Sequence, residues 1–317
     1  MEFLCSQLFV RPTWPTQMFN GQTVIVTGSN TGLGKEAARH FTRLGAARVI
    51  LAVRNTKAGE DARADIEAST HCAPGTLEVW HLDLGSHASV KAFAARASTS
   101  LDRVDVLCEN AGIAPGTKRI VEGHESAIAV NVVSTFLLAL LMLPKLKETS
   151  RRLGKPSVLS IVTSEVHALC KFPERKAASI FEALDKAEDM SERYPVSKLL
   201  EVLTVRQIAP LLEDSGVVLN LVNPGLCHSN LSRESGLGLA VLMFFLARTT
   251  EMGSRTLVAA GIAGKESHGK YMTDGHVSEK SLSSFVKSED GKKASEKVWK
   301  ELGQMLEKIE PGVTKNI

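Results

Sequence analysis

The chain has few of the residues that mark disulfide-built and metal-built proteins. Only five of its 317 residues are cysteine, and they are widely spaced, with no C-x-x-C pair. An odd number of cysteines without a Cys/His cluster at zinc spacing argues against a disulfide framework and against a structural metal site. We therefore expect no bound metal and a reducing compartment, the cytoplasm.

An excess of either charge is also lacking. The 38 basic and 35 acidic residues leave a net charge of +3, and no basic block is interleaved with aromatic residues. Nucleic-acid-binding surfaces depend on such clusters of Lys and Arg, so we expect no nucleic-acid partner.

Long apolar runs are absent too. Residues 1–20 are partly apolar but have no basic start, and Arg11 and Pro12 interrupt them, so we expect an N-terminal extension rather than a secretory signal. The most apolar later runs, Phe136–Pro144 and Leu237–Ala247, are shorter than the roughly 20 residues of a membrane-spanning helix. No transmembrane segment is predicted.

Between residues 23 and 222 short runs rich in Val, Ile and Leu alternate with longer helical runs, and no linker divides them. Buried parallel strands have this composition, and the alternation predicts an α/β fold, a Rossmann-type doubly wound parallel sheet of about seven strands flanked by helices. We expect a single domain over residues 21–317, with a C-terminal helix at about 290–309. The predicted strands are Thr23–Thr27, Arg48–Val53, Leu77–Leu82, Val104–Cys108, Ser157–Val162, Val217–Val222 and Gly269–Met272. The predicted helices are Leu33–Leu44, Lys57–Ser69, Ala88–Ser100, Glu122–Lys147, Glu192–Leu212 and Thr250–Ala263.

A glycine-rich loop follows the first predicted strand and leads directly into a helix. Gly28 allows a tight turn, Gly32 lets a pyrophosphate approach the backbone, and Gly34 lets the helix pack closely on the strand. A plain glycine turn is the alternative, but the strand before and the helix after favour a dinucleotide site, because helix N-termini attract phosphate. The loop residues assigned to the cofactor are Gly28, Thr31, Gly32, Leu33 and Gly34.

The second predicted strand is followed by Arg54, where an NAD-binding protein usually has a carboxylate. A guanidinium can hold a 2′-phosphate with two hydrogen bonds, so the sequence favours NADP(H) over NAD(H); a solvated surface arginine is the alternative. Polar or small residues also follow the next two strands, at the edge where adenine and its ribose are expected. They are Asp83, Leu84, Asn110, Ala111 and Gly112.

One of the two tyrosines, Tyr194, stands four residues before Lys198. Four residues are about one helical turn, so both side chains lie on one face, where an ammonium lowers the pKa of a phenol. Such a tyrosine can exchange a proton with a carbonyl or an alcohol. The spacing alone also occurs by chance in many helices.

The order of these motifs resembles that of the short-chain dehydrogenase/reductase family over about residues 21–272. The motifs are the T-G-x-x-x-G-x-G loop, Asp83, Asn110-Ala111-Gly112, Asn131, Ser164, Tyr194 with Lys198, and Asn223-Pro224-Gly225. Within the family the chain is similar to the retinol-dehydrogenase-like branch, and particularly to fungal reductases of secondary metabolism.

The resemblance implies roles for the residues at the matching positions. Tyr194 is the general acid in carbonyl reduction, or the base in alcohol oxidation, while hydride passes to or from the nicotinamide. Lys198 binds the nicotinamide ribose and lowers the pKa of Tyr194. Ser164 binds the substrate oxygen, with Thr163 as the alternative if the register slips by one; a structural hydroxyl is the other interpretation of Ser164.

Two further sites follow from the resemblance. Asn131 matches the asparagine at a helix kink whose backbone holds a water in the proton relay, although a satisfied core amide is the alternative. The segment after the sixth strand matches the one that binds the nicotinamide carboxamide and the diphosphate, with serine where threonine is common. Its cofactor residues are Pro224, Gly225, Leu226 and Ser229.

The substrate side departs from the simple family pattern. Ser164 and Tyr194 are 30 positions apart rather than about a dozen, so an insertion at about 165–193 lies beside the substrate. A lid is expected at about 226–250, where Leu237–Ala247 is apolar; this run suits a hydrophobic substrate, but it can equally be core or rest on a membrane surface.

Together these features predict an NADP(H)-dependent enzyme that reduces a hydrophobic ketone or aldehyde, or oxidises the matching alcohol. The alternative is an NADP-binding protein of the same fold that templates another reaction or acts as a scaffold. Two predicted helices, Glu122–Lys147 and Glu192–Leu212, are apolar around much of their circumference, which suits a homodimer or homotetramer but also large core helices.

Overall fold

The structure, a computed structural model, describes residues 2–228 and 246–317, which form one α/β unit. Its central sheet has eight strands in the order β10-β9-β8-β7-β4-β1-β2-β3, and every pair is parallel except β9 with β10. A separate hairpin pairs β5 with β6. In chain order the strands are β1 Thr23–Thr27, β2 Arg48–Val53, β3 Leu77–His81, β4 Val106–Glu109, β5 Ile120–Val121, β6 His124–Glu125, β7 Ser157–Val162, β8 Val217–Asn223, β9 Tyr271–Thr273 and β10 His276–Val277.

Helices cover both faces of this sheet. They are α1 Glu2–Phe9, α2 Gly32–Arg43, α3 Thr56–Thr70, α4 His87–Ser100, α5 Ser126–Ile128, α6 Thr135–Leu153, α7 Ile180–Lys186, α8 Arg193–Ile208, α9 Thr250–Ile262, α10 Ser284–Lys287 and α11 Glu289–Ile309. A π-helical segment, Ala129–Ser134, joins α5 to α6.

The parallel strands form because their side chains are apolar on both faces. In β1 all five residues are buried, and successive side chains point to opposite sides of the sheet. Ile25 packs in the core beneath α4, α6, α8 and α11, whereas Val24 and Val26 pack with α2 and α9. Two cores on two faces of one parallel sheet confirm the predicted doubly wound fold.

The element boundaries agree with the prediction where burial is continuous and differ at the edges. The helix predicted from Glu122 begins at Ser126 instead, because Glu122 and Gly123 have positive φ angles of 50° and 86° and form the turn of the β5–β6 hairpin. It also runs on to Leu153. The sheet has eight strands rather than about seven, because the two-residue edge strand β10 leaves no hydrophobic pattern.

The continuous helix Ser126–Leu153 is long and apolar enough to cross a membrane by length and composition. Of its most apolar window, however, 94% is buried inside the fold, where it packs against the sheet and α4. A core helix passes the same test, so this one is weak evidence for a membrane span.

The N-terminal extension packs beside the residues that follow β8. The buried guanidinium of Arg248 donates to the carbonyl oxygens of Ser6 and Val10 at 2.8 and 3.1 Å and pairs with the Asp274 carboxylate at 2.6 Å. With its amide oriented to satisfy both partners, Gln7 bonds the backbone of Leu226. The first turns of the chain therefore support one of the predicted cofactor segments.

The insertion predicted at about 165–193 folds into two 3₁₀ turns, Glu165–Ala168 and Pro173–Lys176, followed by α7. Its large apolar side chains enter the main core, and the Glu301 carboxylate of α11 accepts from the amide of Ile180 at 2.8 Å. The insertion is thus anchored to the C-terminal helix. The buried apolar residues are Phe172, Ile180, Phe181 and Leu184.

Candidate active site

The predicted site residues within the described ranges collect at one edge of the sheet, beyond the carboxyl ends of β1, β4, β7 and β8. In doubly wound sheets ligands bind at this edge. The glycine loop follows β1, Asn110 follows β4, Ser164 follows β7 and Pro224 follows β8. Among residues 2–228 and 246–317, no group of three His, Cys, Asp or Glu side chains is placed to hold a metal ion.

Tyr194, Lys198 and Ser164 are brought together, as predicted. The Lys198 Nζ lies 5.7 Å from the centre of the Tyr194 ring, and the Ser164 side chain lies close enough to the Tyr194 phenol to lower its pKa. Thr163 is turned the other way, and its hydroxyl donates to the backbone oxygen of Lys198 at 3.1 Å. Of these two hydroxyls, that of Ser164 lies beside the tyrosine, whereas that of Thr163 joins the strand to α8.

Burial dominates the protonation of Tyr194 and raises its pKa above the ordinary value for a phenol. Lys198 and the Ser164 side chain act in the opposite direction, and the carboxyls of Glu201 and Glu165 reinforce the increase. The expectation that lysine lowers the tyrosine pKa is right for its own contribution but wrong for the sum. At neutral pH the phenol keeps its proton.

Asn131 lies in the π-helical segment, where backbone hydrogen bonds join residues five apart instead of four. Its side chain is fully buried and fully bonded: Nδ2 donates to the Ile113 oxygen at 2.9 Å and to the Ser197 hydroxyl at 3.0 Å, and Oδ1 accepts from the Ile113 amide at 2.9 Å. The kinked backbone and the satisfied amide thus occur together. The side chain fixes α8 against the loop that follows β4.

The glycine loop fits closely where the fold needs it and is open where a ligand approaches. A Cβ on Gly34 would lie 2.5 Å from the Asn110 amide nitrogen and 2.7 Å from the Gly28 oxygen, whereas a Cβ on Gly32 would meet nothing within 4 Å. Asn110 itself is engaged with β1, because its Nδ2 donates to the Thr27 oxygen at 2.8 Å. Gly34 therefore serves packing, and Gly32 leaves space for a ligand.

Arg54 stands exposed just beyond β2, and in the described part of the chain it has neither a hydrogen bond nor an ion pair. Asp83, beyond β3, is partly exposed, and its carboxylate accepts from the Gly85 amide at 2.8 Å, while Leu84 is buried. The guanidinium is thus free to meet a ligand, whereas the Asp83 carboxylate is partly used in its own turn.

The segment after β8 is held in place from two sides. Gly225 has a φ of +76°, and its amide donates to the Asn223 side chain at 3.0 Å. A Cβ at this glycine would lie 2.5 Å from the end of the Gln7 side-chain amide, so the N-terminal extension packs tightly against the turn. Ser229 and most of the predicted lid, including residues 237–245, lie outside the described residues.

Known proteins share both the sequence and the fold. The family profile described as short chain dehydrogenase matches residues 22–163. The short chain dehydrogenase/reductase dmxR8 of Cryptosporiopsis sp. is 49% identical over 325 residues, covering 100% of both chains. The chain belongs to the short-chain dehydrogenase/reductase family. The short-chain dehydrogenase anuD of Penicillium roqueforti is 43% identical, over 99% of this chain and 84% of its own.

Solved structures of low sequence identity show the same fold. The RhlG/NADP active-site complex of Pseudomonas aeruginosa aligns with a TM-score of 0.62 at 23% identity, covering 82% of this chain and 97% of that one. The NADPH-bound carbonyl reductase from chicken fatty liver aligns with a TM-score of 0.62 at 19% identity, covering 82% and 99%. This short-chain dehydrogenase/reductase thus has the same fold as two proteins whose structures are described with NADP or NADPH.

Sequence reasoning missed two acids beside Lys198. The Lys198 Nζ donates to the Val162 oxygen at 2.9 Å and to the Glu201 carboxylate at 2.7 Å. Glu109, the last residue of β4, is also buried and interacts electrostatically with Glu201. One signal was present in the sequence: Glu201 is the only acid in the apolar run from Leu199 to Ile208.

Replacing Gly34 with alanine is expected to weaken both the fold and dinucleotide binding. The new methyl group must displace backbone at Gly28 as well as the Asn110 side chain, and such overpacking costs about 1–3 kcal/mol. Urea unfolding and fluorescence titration with NADPH measure the two effects. Gly303→Ala is the matched control, because a Cβ there has no neighbour closer than 3.9 Å in α11 and alanine favours helix. Equal losses of stability and of NADPH affinity in Gly34→Ala and Gly303→Ala would contradict the packing role of Gly34.

Proposed function

We propose that this protein is an NADP(H)-dependent oxidoreductase that reduces a hydrophobic ketone or aldehyde, or oxidises the matching alcohol. The observation that carries the proposal is the arrangement of Tyr194, whose phenol lies beside the Ser164 side chain and whose ring lies beside the Lys198 ammonium. A protonated phenol next to a second hydroxyl can bind a carbonyl oxygen and then protonate it.

The residues around the sheet edge fit a phosphorylated dinucleotide. The open backbone at Gly32 leads into the N-terminus of α2, which suits a pyrophosphate, and the free guanidinium of Arg54 suits a 2′-phosphate. Two proteins of similar fold are described with NADP or NADPH, which supports the same choice here. When bound, the nicotinamide would supply or accept the hydride.

The protein supplies the proton and the orientation. In reduction, Ser164 donates a hydrogen bond to the substrate oxygen, and Tyr194 gives its proton to that oxygen as the carbonyl carbon gains hydride, so C=O becomes CH–OH. The raised pKa of Tyr194 suits this direction, because the phenol is protonated at neutral pH. Lys198 then stabilises the phenolate that is left until solvent returns a proton.

The substrate class is proposed as hydrophobic, because the sequence of the predicted lid, Leu237–Ala247, is apolar. The organisms of the two similar sequences are fungi, which supports a role in secondary metabolism. Membership in the retinol-dehydrogenase-like branch, a cytoplasmic location with peripheral membrane contact, and a homodimer or homotetramer stay predictions.

An absorbance assay tests the function. Purified protein is mixed with NADPH and a panel of aromatic and polyketide-like ketones, and loss of the reduced cofactor is followed against reactions without protein. The reverse arm uses NADP⁺ and the matching alcohols. Substrate-dependent turnover in either direction supports an oxidoreductase. Tight NADPH binding without turnover of any panel member would instead favour the non-redox alternative.

Changing Arg54 to aspartate is expected to weaken NADPH binding by about ten- to a hundredfold, since a charge-assisted hydrogen bond contributes about 1.5–3 kcal/mol. NADH affinity should change little, so the preference between the two cofactors narrows. Fluorescence titrations of both cofactors measure the ratio. The control is Arg151→Asp, which changes the charge equally at an exposed position near the end of α6. A ratio unchanged in Arg54→Asp would show that Arg54 does not contact the 2′-phosphate.

A further inference from the structure

Behind the catalytic lysine lies a buried group of two carboxyls. Glu201 is 1% exposed, Lys198 5% and Glu109 4%, and the Glu201 carboxylate accepts from the Lys198 ammonium at 2.7 Å. Glu201 follows Lys198 by three residues, so the pair lies along one side of α8. Solvent screens such a buried pair only weakly, so the Coulomb interaction between Lys198 and Glu201 is stronger than that of an exposed ion pair.

The second carboxyl has no partner of its own. Neither oxygen of Glu109 has a hydrogen-bond partner within the described residues, and one oxygen of Glu201 also lacks one. Burial raises the pKa of Glu201 to about 7 and that of Glu109 well above its usual value. Two buried carboxyls that repel each other do not both ionise readily, and only Glu201 is hydrogen-bonded to the Lys198 ammonium, so Glu201 is the one that carries the charge.

We propose that Glu201 is a positioning residue, which fixes the Lys198 ammonium against the end of β7 and offsets part of its charge, so that Tyr194 keeps its proton. Glu109 is buried near Glu201 but makes no hydrogen bond to Lys198, so the charge that meets the ammonium belongs to Glu201. Glu201 thus influences the protonation of Tyr194 indirectly, through Lys198, without touching the substrate. The functional side of this inference rests on the proposed carbonyl reduction.

The charged groups around the tyrosine decide the direction of the expected change. Tyr194 is faced by Lys198 and Glu201 from its own helix and by Glu165 from the segment after β7. Glu201 in turn is faced by Lys198, Glu109 and the hydroxyl of Thr163. Replacing the carboxylate with an amide leaves the ammonium unopposed, and an unopposed cation stabilises phenolate.

The test is a spectrophotometric titration of tyrosinate, which needs no substrate. The chain has only Tyr194 and Tyr271, and burial raises the pKa of Tyr271 well above that of an ordinary phenol, so the first transition belongs to Tyr194. Tyr194→Phe provides the blank. In Glu201→Gln we expect the midpoint to fall by about one pH unit. In Glu109→Gln, an amide of the same shape at a carboxyl that makes no hydrogen bond to Lys198, we expect a much smaller shift.

Two results would overturn the inference. One is a midpoint in folded Glu201→Gln equal to that of the wild type, and the other is an equal shift in Glu109→Gln. Circular dichroism checks folding, and Glu201→Ala takes the place of the amide variant if that variant does not fold. Glu201→Asp keeps the charge and should restore most of the wild-type midpoint, which a loss of packing alone would not do.

A kinetic arm separates this inference from the proposed function. If the wild type reduces a ketone, the alkaline limb of the plot of kcat/KM against pH should lie at lower pH in Glu201→Gln. The shift should be as many pH units as that of the tyrosinate midpoint. A shifted midpoint in a protein without turnover would refute the function and support the inference. Turnover with an unshifted midpoint and profile would do the reverse.

Discussion

Tyr194→Phe is expected to lower the rate of carbonyl reduction by about 10²–10⁴-fold, the usual contribution of a positioned general acid. The substitution removes only a hydroxyl, so the ring still packs beside Lys198 and cofactor binding should stay near the wild-type value. Rapid-mixing absorbance measurements give the rate of hydride transfer, and fluorescence titration gives the affinity for NADPH.

The other tyrosine offers a matched control. Tyr271 is buried in β9, and its hydroxyl has no hydrogen-bond partner in the described part of the chain. Tyr271→Phe should therefore keep the reduction rate and leave stability unchanged or slightly higher, because an unbonded buried hydroxyl is unfavourable. A Tyr194→Phe enzyme that kept half its rate or more, or lost no more than Tyr271→Phe, would exclude Tyr194 as the proton donor.

Lys198→Met is expected to destabilise the protein by about 3–5 kcal/mol as well as to abolish most activity. The loss arises because the Glu201 carboxylate, 1% exposed, would be left buried without its counter-ion. Urea unfolding followed by circular dichroism measures the free energy. The folded-state pKa of Glu201 is already raised to about 7, so the folded variant binds a proton more readily than the unfolded chain. Its stability should therefore increase as the pH falls through and below that value.

A double variant separates stability from chemistry. Lys198→Met combined with Glu201→Leu replaces the ion pair by apolar side chains of similar size, and such replacements are often neutral for stability. We expect it to regain most of the lost free energy while remaining inactive. Recovery of activity would mean that the lysine is dispensable for catalysis, and failure to regain stability would mean that the pair itself does not account for the loss.

The sequence predicted those strands best whose burial is complete. The bounds of β1, β2 and β7 agree to the residue, because unbroken runs of Val, Ile and Leu mark strands covered on both faces. The β5–β6 hairpin and β10 were missed because a two-residue strand is formed by its partners rather than by a local pattern. The start of the long helix was misplaced for the same reason, since the hairpin turn takes up Glu122.

The site was predictable where chemistry and spacing coincide. Tyr194, Lys198 and Ser164 follow a motif, and the fold brings them together. Glu201 was not recognised because α8 is apolar on nearly every side, so a single acid in it gives no indication of the face on which it lies. The contact of Arg248 with Ser6 was unpredictable in a different way, because the two residues are 242 positions apart and neither belongs to a motif.

The contacts of Arg248 and Asp274 with Ser6 of α1 set the order in which parts of the fold can form during translation. Ser6 bonds the Asp274 carboxylate across 268 positions, so α1, which is made before every strand of the sheet, cannot dock until the turn after β9 has been made. The strands β1–β4, after which the glycine loop, Arg54 and Asp83 stand, are complete once Glu109 has been made. The segment after β8 acquires its supports only after Asp274 has emerged. During translation β1–β4 and the glycine loop are thus complete long before the turn at Pro224 and Gly225 can be held in place.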